Sequence, residues 1–436
     1  MLDYSIETKC IQSGYRPENG EPRVLPIFQS TTFKYDSAEH MGRLFDLEES
    51  GHMYSRISNP TVEQVEKKIA DLEGGAGAVL LSSGQSANLL AVLNITSTGQ
   101  NILALSTIYG GTFNMFDVTL RRFGIEVRFI APGMSDAEIE ALIDENTRLV
   151  FGETISNPWL EVLDIERYAA LAHRHNIPLV IDNTFATPVL CRPIEHGADI
   201  VTHSTTKYMD GHATVVGGCV VDSGRFDWEC GRYPELTEPD RSYHGISYTE
   251  KFGCANAYST KLRVQLVRDI GNAMTPLSAF LLNLGLETLH LRMPRHSENA
   301  LAVARFLRES SRVAWVNYPG LEGDSQYSAA QKYLPNGAAG VVSFGIRGGR
   351  GAAVRFLDSL ELVALVVHVC DARTSALHPA STTHRQLSDK QLEDCGITPD
   401  FIRLSVGIES ANDIIADIAQ ALEKSRVEQR RERHAD

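Results

Sequence analysis

Short apolar runs recur through the first half of the chain: AVLL at 78–81, NILAL at 101–105, IEVRFI at 125–130, RLVFG at 148–152, IPLVI at 177–181 and ADIVTH at 198–203. Most of them show little polar alternation, which is the pattern of strands buried on both faces. Amphipathic stretches lie between them. One begins at Asn59, a residue that can cap a helix. Pro60 suits its first position, Val62, Val65, Ile69 and Leu72 follow at helical spacing, and Gly74 and Gly75 end it. Ser135 with Glu138 forms a capping-box pattern, and a further helix is predicted from Asp164 through Ala172. Strands alternating with helices predict an α/β domain around a mainly parallel sheet, whose ligands gather at the carboxyl ends of the strands.

On either side of this region the rhythm differs. Residues 1–60 show little periodicity and carry Pro17, Pro22 and Pro26 with several glycines, so they read as an extended arm with short structured pieces, of the kind that packs on a neighbouring subunit. Near Met293 and Pro294 a long helical stretch leads to the strand-like runs VVSFGI, LVALVVHV and FIRLSV and to a last helix from Asn412. The expected organisation is an arm over 1–60, a large domain over 61–288 and a smaller C-terminal α/β domain over 289–436. A chain of 436 residues suits this division, since one hydrophobic core seldom grows past roughly 250–300 residues.

Apolar residues make up 43% of the chain and charged residues 22%, the balance of a globular protein. The 41 Lys plus Arg against 55 Asp plus Glu leave a formal charge of −14. That sign argues against nucleic acid or an anionic membrane as partner and favours a small-molecule substrate. The basic tail at Arg426, Arg430, Arg431 and Arg433 reads as the solvated end of a terminal helix. Seven cysteines, Cys10, Cys191, Cys219, Cys230, Cys254, Cys370 and Cys395, are scattered without a CxxC pair, which points to reduced thiols and a cytoplasmic location. MLDYSIETKC lacks the pattern of a secretory signal, and no window reaches about 18 uninterrupted apolar residues, so the expectation is a chain neither secreted nor membrane-spanning.

Two predicted strands end on polar residues that could act together. Asp182 follows IPLVI directly, so its carboxylate should emerge at a strand's carboxyl end. Helix capping and metal binding compete with a catalytic role there, although no ligand-spaced His or Cys pair accompanies it. HSTTKY closes the next run and sets Ser204, Thr205 and Thr206 beside Lys207. Pyridoxal phosphate requires a lysine for an imine, a carboxylate to keep its pyridinium nitrogen protonated and several donors for its phosphate. All three are present, against the plainer reading of Lys207 as a surface lysine. SSGQ at 82–85 joins a strand to a helix expected to begin near Ser86, so the Gly84 and Gln85 amides and the Ser83 hydroxyl could meet an anion, although a tight structural turn would use the same residues. Tyr109, in IYGGTF, is placed either to stack on a cofactor ring or to pack in the core.

YSRISNPT (54–61), SSGQ (82–85), YGGTF (109–113), ETISNP (153–158), DNTFATP (182–188), HSTTKYMDGH (203–212), HPASTTHRQL (378–387) and RLSVGIE (403–409) resemble, in content and in order, segments of the cysteine and methionine metabolism family of pyridoxal-phosphate enzymes. The resemblance covers essentially the whole chain. It implies fold type I, the aspartate aminotransferase-like α/β architecture, with Lys207 as the imine lysine and Asp182 as the pyridinium partner. Ser83, Gly84, Gln85, Ser204 and Thr206 would surround the phosphate, and Tyr54 and Arg56 would reach it from a neighbouring subunit of a homotetramer. Arg403 and Asn157 would grip the substrate carboxylate, a task that suits a guanidinium because it can bond both oxygens at once. Tyr109 would stack on the ring and shuttle a proton to the leaving group.

Within the family, FDWECGRYPELTEPDRSYHG at 226–245 is similar to an insertion of the sulfhydrylase branch, and Gly111 stands where methionine γ-lyases typically carry a cysteine. That branch implies γ-replacement on O-acetyl-L-homoserine by sulfide or methanethiol, giving L-homocysteine or L-methionine and acetate. A γ-lyase, or a cystathionine synthase or lyase, is the alternative within the family. A catalytically silent binding protein of the same fold and a metal hydrolase are the alternatives outside it.

HVCDARTS departs from the commoner pattern, with His368 and Cys370 where many relatives have asparagine or serine, and glycine. Cys370 reads as a small buried filler rather than a nucleophile. His378 and His384 lack zinc-helix spacing and are expected in a structural loop, so no metal site is assigned.

Overall fold

The computed structural model describes residues 4–382 and 398–426; His384, Cys395, Arg430, Arg431 and Arg433 lie outside the described residues. The chain groups into two compact units, Met1–Asn157 with Glu161–Leu291, and Pro158–Leu160 with Arg292–Asp436.

In the first unit seven strands form one sheet: β1 (Gly77–Leu81), β2 (Asn101–Leu105), β3 (Glu126–Ile130), β4 (Thr147–Glu153), β5 (Leu179–Asp182), β6 (Ile200–His203) and β7 (Gly218–Asp222), in the order β1-β7-β6-β5-β4-β2-β3. Strands β2 to β6 pair in parallel, and β7 runs antiparallel between β1 and β6. All six predicted runs are strands. The pattern missed β7, because GCVVD is short and follows directly on Gly217. Those glycines are required by contact: a Cβ on Gly218 would lie 2.0 Å from the Ser83 carbonyl oxygen, so β7 can enter the sheet against the SSGQ turn only without a side chain there.

Helix Pro60–Glu73 starts as predicted, with the Asn59 side chain accepting the Thr61 amide, and stops at Gly74 in the left-handed region at φ 76°. The capping box of Ser135 and Glu138 is formed at the start of Asp136–Glu140, and Ile165–Arg174 follows Asp164. Residues 226–245 are built into the large core. Trp228 stacks on Tyr258 with ring centroids 5.2 Å apart, and the buried Tyr233 hydroxyl donates to the Arg148 carbonyl at 2.8 Å. The N-terminal segment holds the short helices Ile6–Gln12 and Ala38–Phe45. It is pinned to the start of Pro60–Glu73 where Asn59 Nδ2 donates to the Phe28 carbonyl at 2.9 Å and Thr61 Oγ1 to the Pro26 carbonyl at 2.7 Å.

In the second unit β8 (Val313–Asn317), β9 (Val341–Ile346), β10 (Ala364–Leu365), β11 (Ser375–Leu377) and β12 (Phe401–Ser405) form, among the described residues, a sheet in the order β10-β11-β12-β9-β8. VVSFGI and FIRLSV are strands as expected. LVALVVHV is not, apart from the two residues of β10, and Val367 within it is 68% exposed. The physical reason lies in side-chain bonds that replace a ladder. The Asp417 carboxylate accepts the amides of Glu361, Leu362 and Val363 and curls the chain at the start of the run, and at its end Arg403 Nη2 donates to the Val367 carbonyl and the Cys370 amide to Ser405 Oγ. The last helix, Ala411–Lys424, begins within a residue of its predicted start. No described helix is long and apolar enough to cross a membrane.

Candidate active site

The parallel register sets Glu153 opposite Asp182 and Asp182 opposite Thr202, so three polar residues form a row on one face at the carboxyl ends of β4, β5 and β6. Asp182 Oδ1 accepts the Thr184 amide at 3.0 Å and the Thr184 hydroxyl, and Oδ2 accepts Asn88 Nδ2 at 3.1 Å. Asn88 is in turn fixed by the Thr202 hydroxyl, which donates to its Oδ1 at 2.6 Å. The carboxylate is thus held at both oxygens; Oδ1 already takes two donors, whereas Oδ2 keeps acceptor capacity for a further one. Asn88 projects from helix Gly84–Leu93, and that amide within the apolar stretch ANLLAVL was the available sequence signal for it.

Lys207 follows β6 in a turn that is braced from two sides. Its amide donates to the Ser204 carbonyl at 3.2 Å and its carbonyl accepts the Gly211 amide at 2.8 Å. The buried Asp210 carboxylate takes the Thr214 amide at 2.9 Å and the Thr214 hydroxyl at 2.7 Å. Behind the turn, a Cβ on Gly285 would come within 2.4 Å of the Asp210 carbonyl oxygen, so helix Pro276–Glu287 closes directly on this backbone.

The helix after SSGQ begins at Gly84, two residues earlier than expected, because Ser83 is itself the cap: its hydroxyl accepts the Ser86 amide at 3.1 Å. Gly84 and Gln85 therefore occupy the first helical turn, where amides have no intrahelical acceptor and favour an anion. A Cβ on Gly84 would lie 2.6 Å from the Ser204 Cβ; glycine here lets Ser204 approach the same helix end. Thr206 differs from the expectation. Its hydroxyl donates to the Gly217 carbonyl at 3.1 Å and accepts the Gly217 amide at 3.0 Å, so it must release a bond to act as a phosphate donor. The Thr205 hydroxyl is buried against Gly217.

Tyr109 is exposed and is anchored through its amide, which donates to Glu153 Oε1 at 2.7 Å. A Cβ on Gly111 would meet the Tyr109 ring at 2.5 Å and Gln85 Nε2 at 2.7 Å, which ties the glycine at 111 to this ring position. The Asn157 amide donates to the same Glu153 carboxyl. Burial, and next the neighbouring Asp182 charge, push the Glu153 carboxyl well above its ordinary 4.5. Sequence reasoning passed over Glu153 although it begins ETISNP. Tyr54 and Arg56 stand together on the exposed N-terminal segment, with the guanidinium 5.5 Å from the ring centroid.

In the second unit Arg403 is a buried residue of β12. Cys370 adopts φ 68°, a left-handed conformation that suits glycine and strains other residues. The thiol is buried. His368 Nε2 lies 3.8 Å from the Asp371 carboxylate. His378 engages both ring nitrogens, with Ser381 Oγ at 2.8 Å and the Pro399 carbonyl at 2.9 Å.

The residues of the first unit fit pyridoxal phosphate: a half-buried lysine in a fixed turn, a carboxylate held at both oxygens, and a helix N-terminus whose glycine admits Ser204. The sequence matches, over residues 7–423, the family described as Cys/Met metabolism PLP-dependent enzyme. The chain belongs to this family. Its cofactor is pyridoxal 5′-phosphate, and its architecture is fold type I. The chain is 47% identical to the homocysteine synthase of Schizosaccharomyces pombe, over 96% of this chain and 98% of the relative. It is 44% identical to the O-acetyl-L-homoserine sulfhydrylase of Leptospira meyeri, over 96% and 97%. A crystal structure from Campylobacter jejuni, described as an O-acetylhomoserine (thiol)-lyase with N′-pyridoxyl-lysine-5′-monophosphate, superposes with a TM-score of 0.92 at 36% identity, covering 96% of this chain and 100% of that one.

Proposed function

We propose that the enzyme catalyses γ-replacement on O-acetyl-L-homoserine by sulfide, releasing L-homocysteine and acetate, with methanethiol as an alternative acceptor that gives L-methionine. The observation that carries this reading is the Asp182 carboxylate, fixed by Asn88 and Thr184 at the strand end next to the braced Lys207 turn. The names of the full-length relatives support the choice of substrate.

When bound, pyridoxal phosphate supplies an electron sink for charge that develops at the substrate carbons. Lys207 would hold the cofactor covalently and, once displaced by the substrate amine, transfer protons at the α-carbon. Asp182 would keep the ring nitrogen protonated. The Gly84 and Gln85 amides with Ser83 and Ser204 would hold the phosphate, joined by Thr206 when it releases Gly217. Tyr109 would cover the ring and pass a proton to the departing acetate, while Arg403 and Asn157 bind the substrate carboxylate. In a homotetramer, Tyr54 and Arg56 would reach the phosphate of a neighbouring subunit. A cytoplasmic location agrees with six cysteines that stand outside any disulfide among the described residues.

Lys207→Ala tests the core of this reading. Turnover and the visible absorption of bound cofactor should both vanish, and an active variant would remove Lys207 from the mechanism. A panel of acetyl-, succinyl- and phosphohomoserine against sulfide, methanethiol and cysteine fixes donor and acceptor. Release of keto acid and ammonia without added thiol would replace γ-replacement by a lyase reaction. Sedimentation of the holoenzyme tests the tetramer.

A further inference from the structure

Glu153 has none of the roles assigned above, yet it joins two of the residues that do. It ends β4, opposite Asp182 in the ladder, and is 8% exposed. Its carboxyl accepts the Tyr109 amide at 2.7 Å and the Asn157 amide as well. Tyr109 lies in the loop after β2 and Asn157 in the loop after β4, so a single side chain ties both loops to one point on the sheet.

We propose that Glu153 is a positioning residue that fixes the Tyr109 and Asn157 loops beside Asp182, so that one group sets both the ring contact and the substrate contact. The inference rests on the roles given to Tyr109 and Asn157 above.

Charge decides how Glu153 can do this. A second carboxylate beside Asp182 would be repelled by it and would compete for the proton of the cofactor ring. Burial and the Asp182 charge both favour the protonated acid. A neutral acid still offers acceptors to two amides, and it leaves Asp182 as the charge in the row formed by Glu153, Asp182 and Thr202. Glutamine has the same shape, is neutral and keeps a carbonyl acceptor. Alanine removes the acceptors, and aspartate keeps a carboxyl but shortens its reach by one carbon.

Holoenzymes of wild type, Glu153→Gln, Glu153→Asp and Glu153→Ala are compared by steady-state kinetics and by amide hydrogen exchange. Glu153→Gln should stay within about threefold of wild type in kcat and KM, whereas Glu153→Ala, losing two hydrogen bonds, should lose about tenfold or more in kcat/KM. In Glu153→Ala, exchange should quicken in peptides covering 106–114 and 154–157, while β8 and β9 stay as protected as in wild type. A purely structural role would instead raise exchange throughout the first unit. Should the alanine variant not fold, Glu153→Asp carries the same comparison.

The proposal is overturned if Glu153→Ala keeps wild-type kinetics and wild-type exchange in those two peptides. It is also overturned if Glu153→Gln behaves like Glu153→Ala, since the site would then depend on the charge. Absence of γ-replacement in wild type would strike the functional reading instead. The exchange pattern judges Glu153 whichever amino acid the enzyme turns over.

Discussion

At or just past the carboxyl ends of β4, β5 and β6 the chain presents two consecutive polar residues each time, and the two faces of the sheet treat them differently. Glu153, Asp182 and Thr202 form the row on the candidate-site face, tied to Tyr109, Asn88 and Thr184, residues of helices and loops that also carry the proposed cofactor and substrate groups. Thr154 and Asn183, directly after β4 and β5, and His203, the last residue of β6, come next along the chain and form a cluster of their own. Thr154 Oγ1 donates to Asn183 Oδ1 at 2.7 Å, and Asn183 Nδ2 donates to Glu73 Oε1 and to the Cys191 carbonyl, each at 2.9 Å. His203 Nε2 lies 2.6 Å from the same Glu73 oxygen, and both side chains are fully buried. Because successive residues of a strand point to opposite faces, one set of strand ends can serve chemistry on one side and hold strand register on the other. The division should therefore appear as a division between activity and stability.

The sharpest test of that division is Glu73→Ala, which leaves the buried His203 and Asn183 without their shared acceptor. It should cost about 3–5 kcal/mol in urea unfolding, with kcat of the folded fraction close to wild type. A large loss of kcat at full folding would break the comparison. On the other face, Asp182→Ala should lower kcat on the order of 10²–10³-fold while the urea midpoint stays near that of wild type, and the reverse outcome would make Asp182 a structural residue. Thr154→Val removes one donor of the reverse cluster and leaves Asn183 Oδ1 unpaired, for a loss of about 1–2 kcal/mol in stability and none in KM.

The smallest effect concerns pH. The unfolded chain releases the Glu153 proton near 4.5, whereas the native chain, with its carboxyl held higher by burial and Asp182, keeps it. Protonated Glu153 thus favours the native state fully below pH 4.5 and loses that advantage as pH rises toward the folded value. Wild type should lose stability relative to Glu153→Gln as pH increases above 4.5. A difference independent of pH would place a charge on native Glu153.

Much of the site face was legible because its residues break strong local patterns. Asp182 and Lys207 interrupt or follow apolar runs, and the SSGQ turn precedes a helix. The reverse face was not legible. Glu73 ends a helix as an ordinary charged residue, and nothing local marks it as fully buried, since its partners Asn183 and His203 come more than a hundred residues later. Asn88 and Thr202 support Asp182 from two other elements in the same hidden way. Thr206 shows the converse: its hydroxyl stands beside the lysine, and the bonds to Gly217 that already occupy it were not visible along the chain. LVALVVHV, the most apolar stretch of the C-terminal half, misled for a related reason, because its first two amides are taken by Asp417 and its Val367 carbonyl by Arg403, both from distant positions.

By itself the sequence determined the alternation of strands and helices, the capped helix from Asn59 to Gly74, the family and the placement of Asp182 and Lys207 at the ends of neighbouring strands, because periodicity, caps and motif order are properties of neighbours along the chain. Only the tertiary structure decided that Ser83 caps its helix and so brings Gly84 and Gln85 into the first turn, that Glu153 stands beside Asp182, and that Glu73 closes the opposite face. Those outcomes depend on register between parallel strands and on burial, which bring together side chains far apart in the chain and set their hydrogen-bond partners and charge.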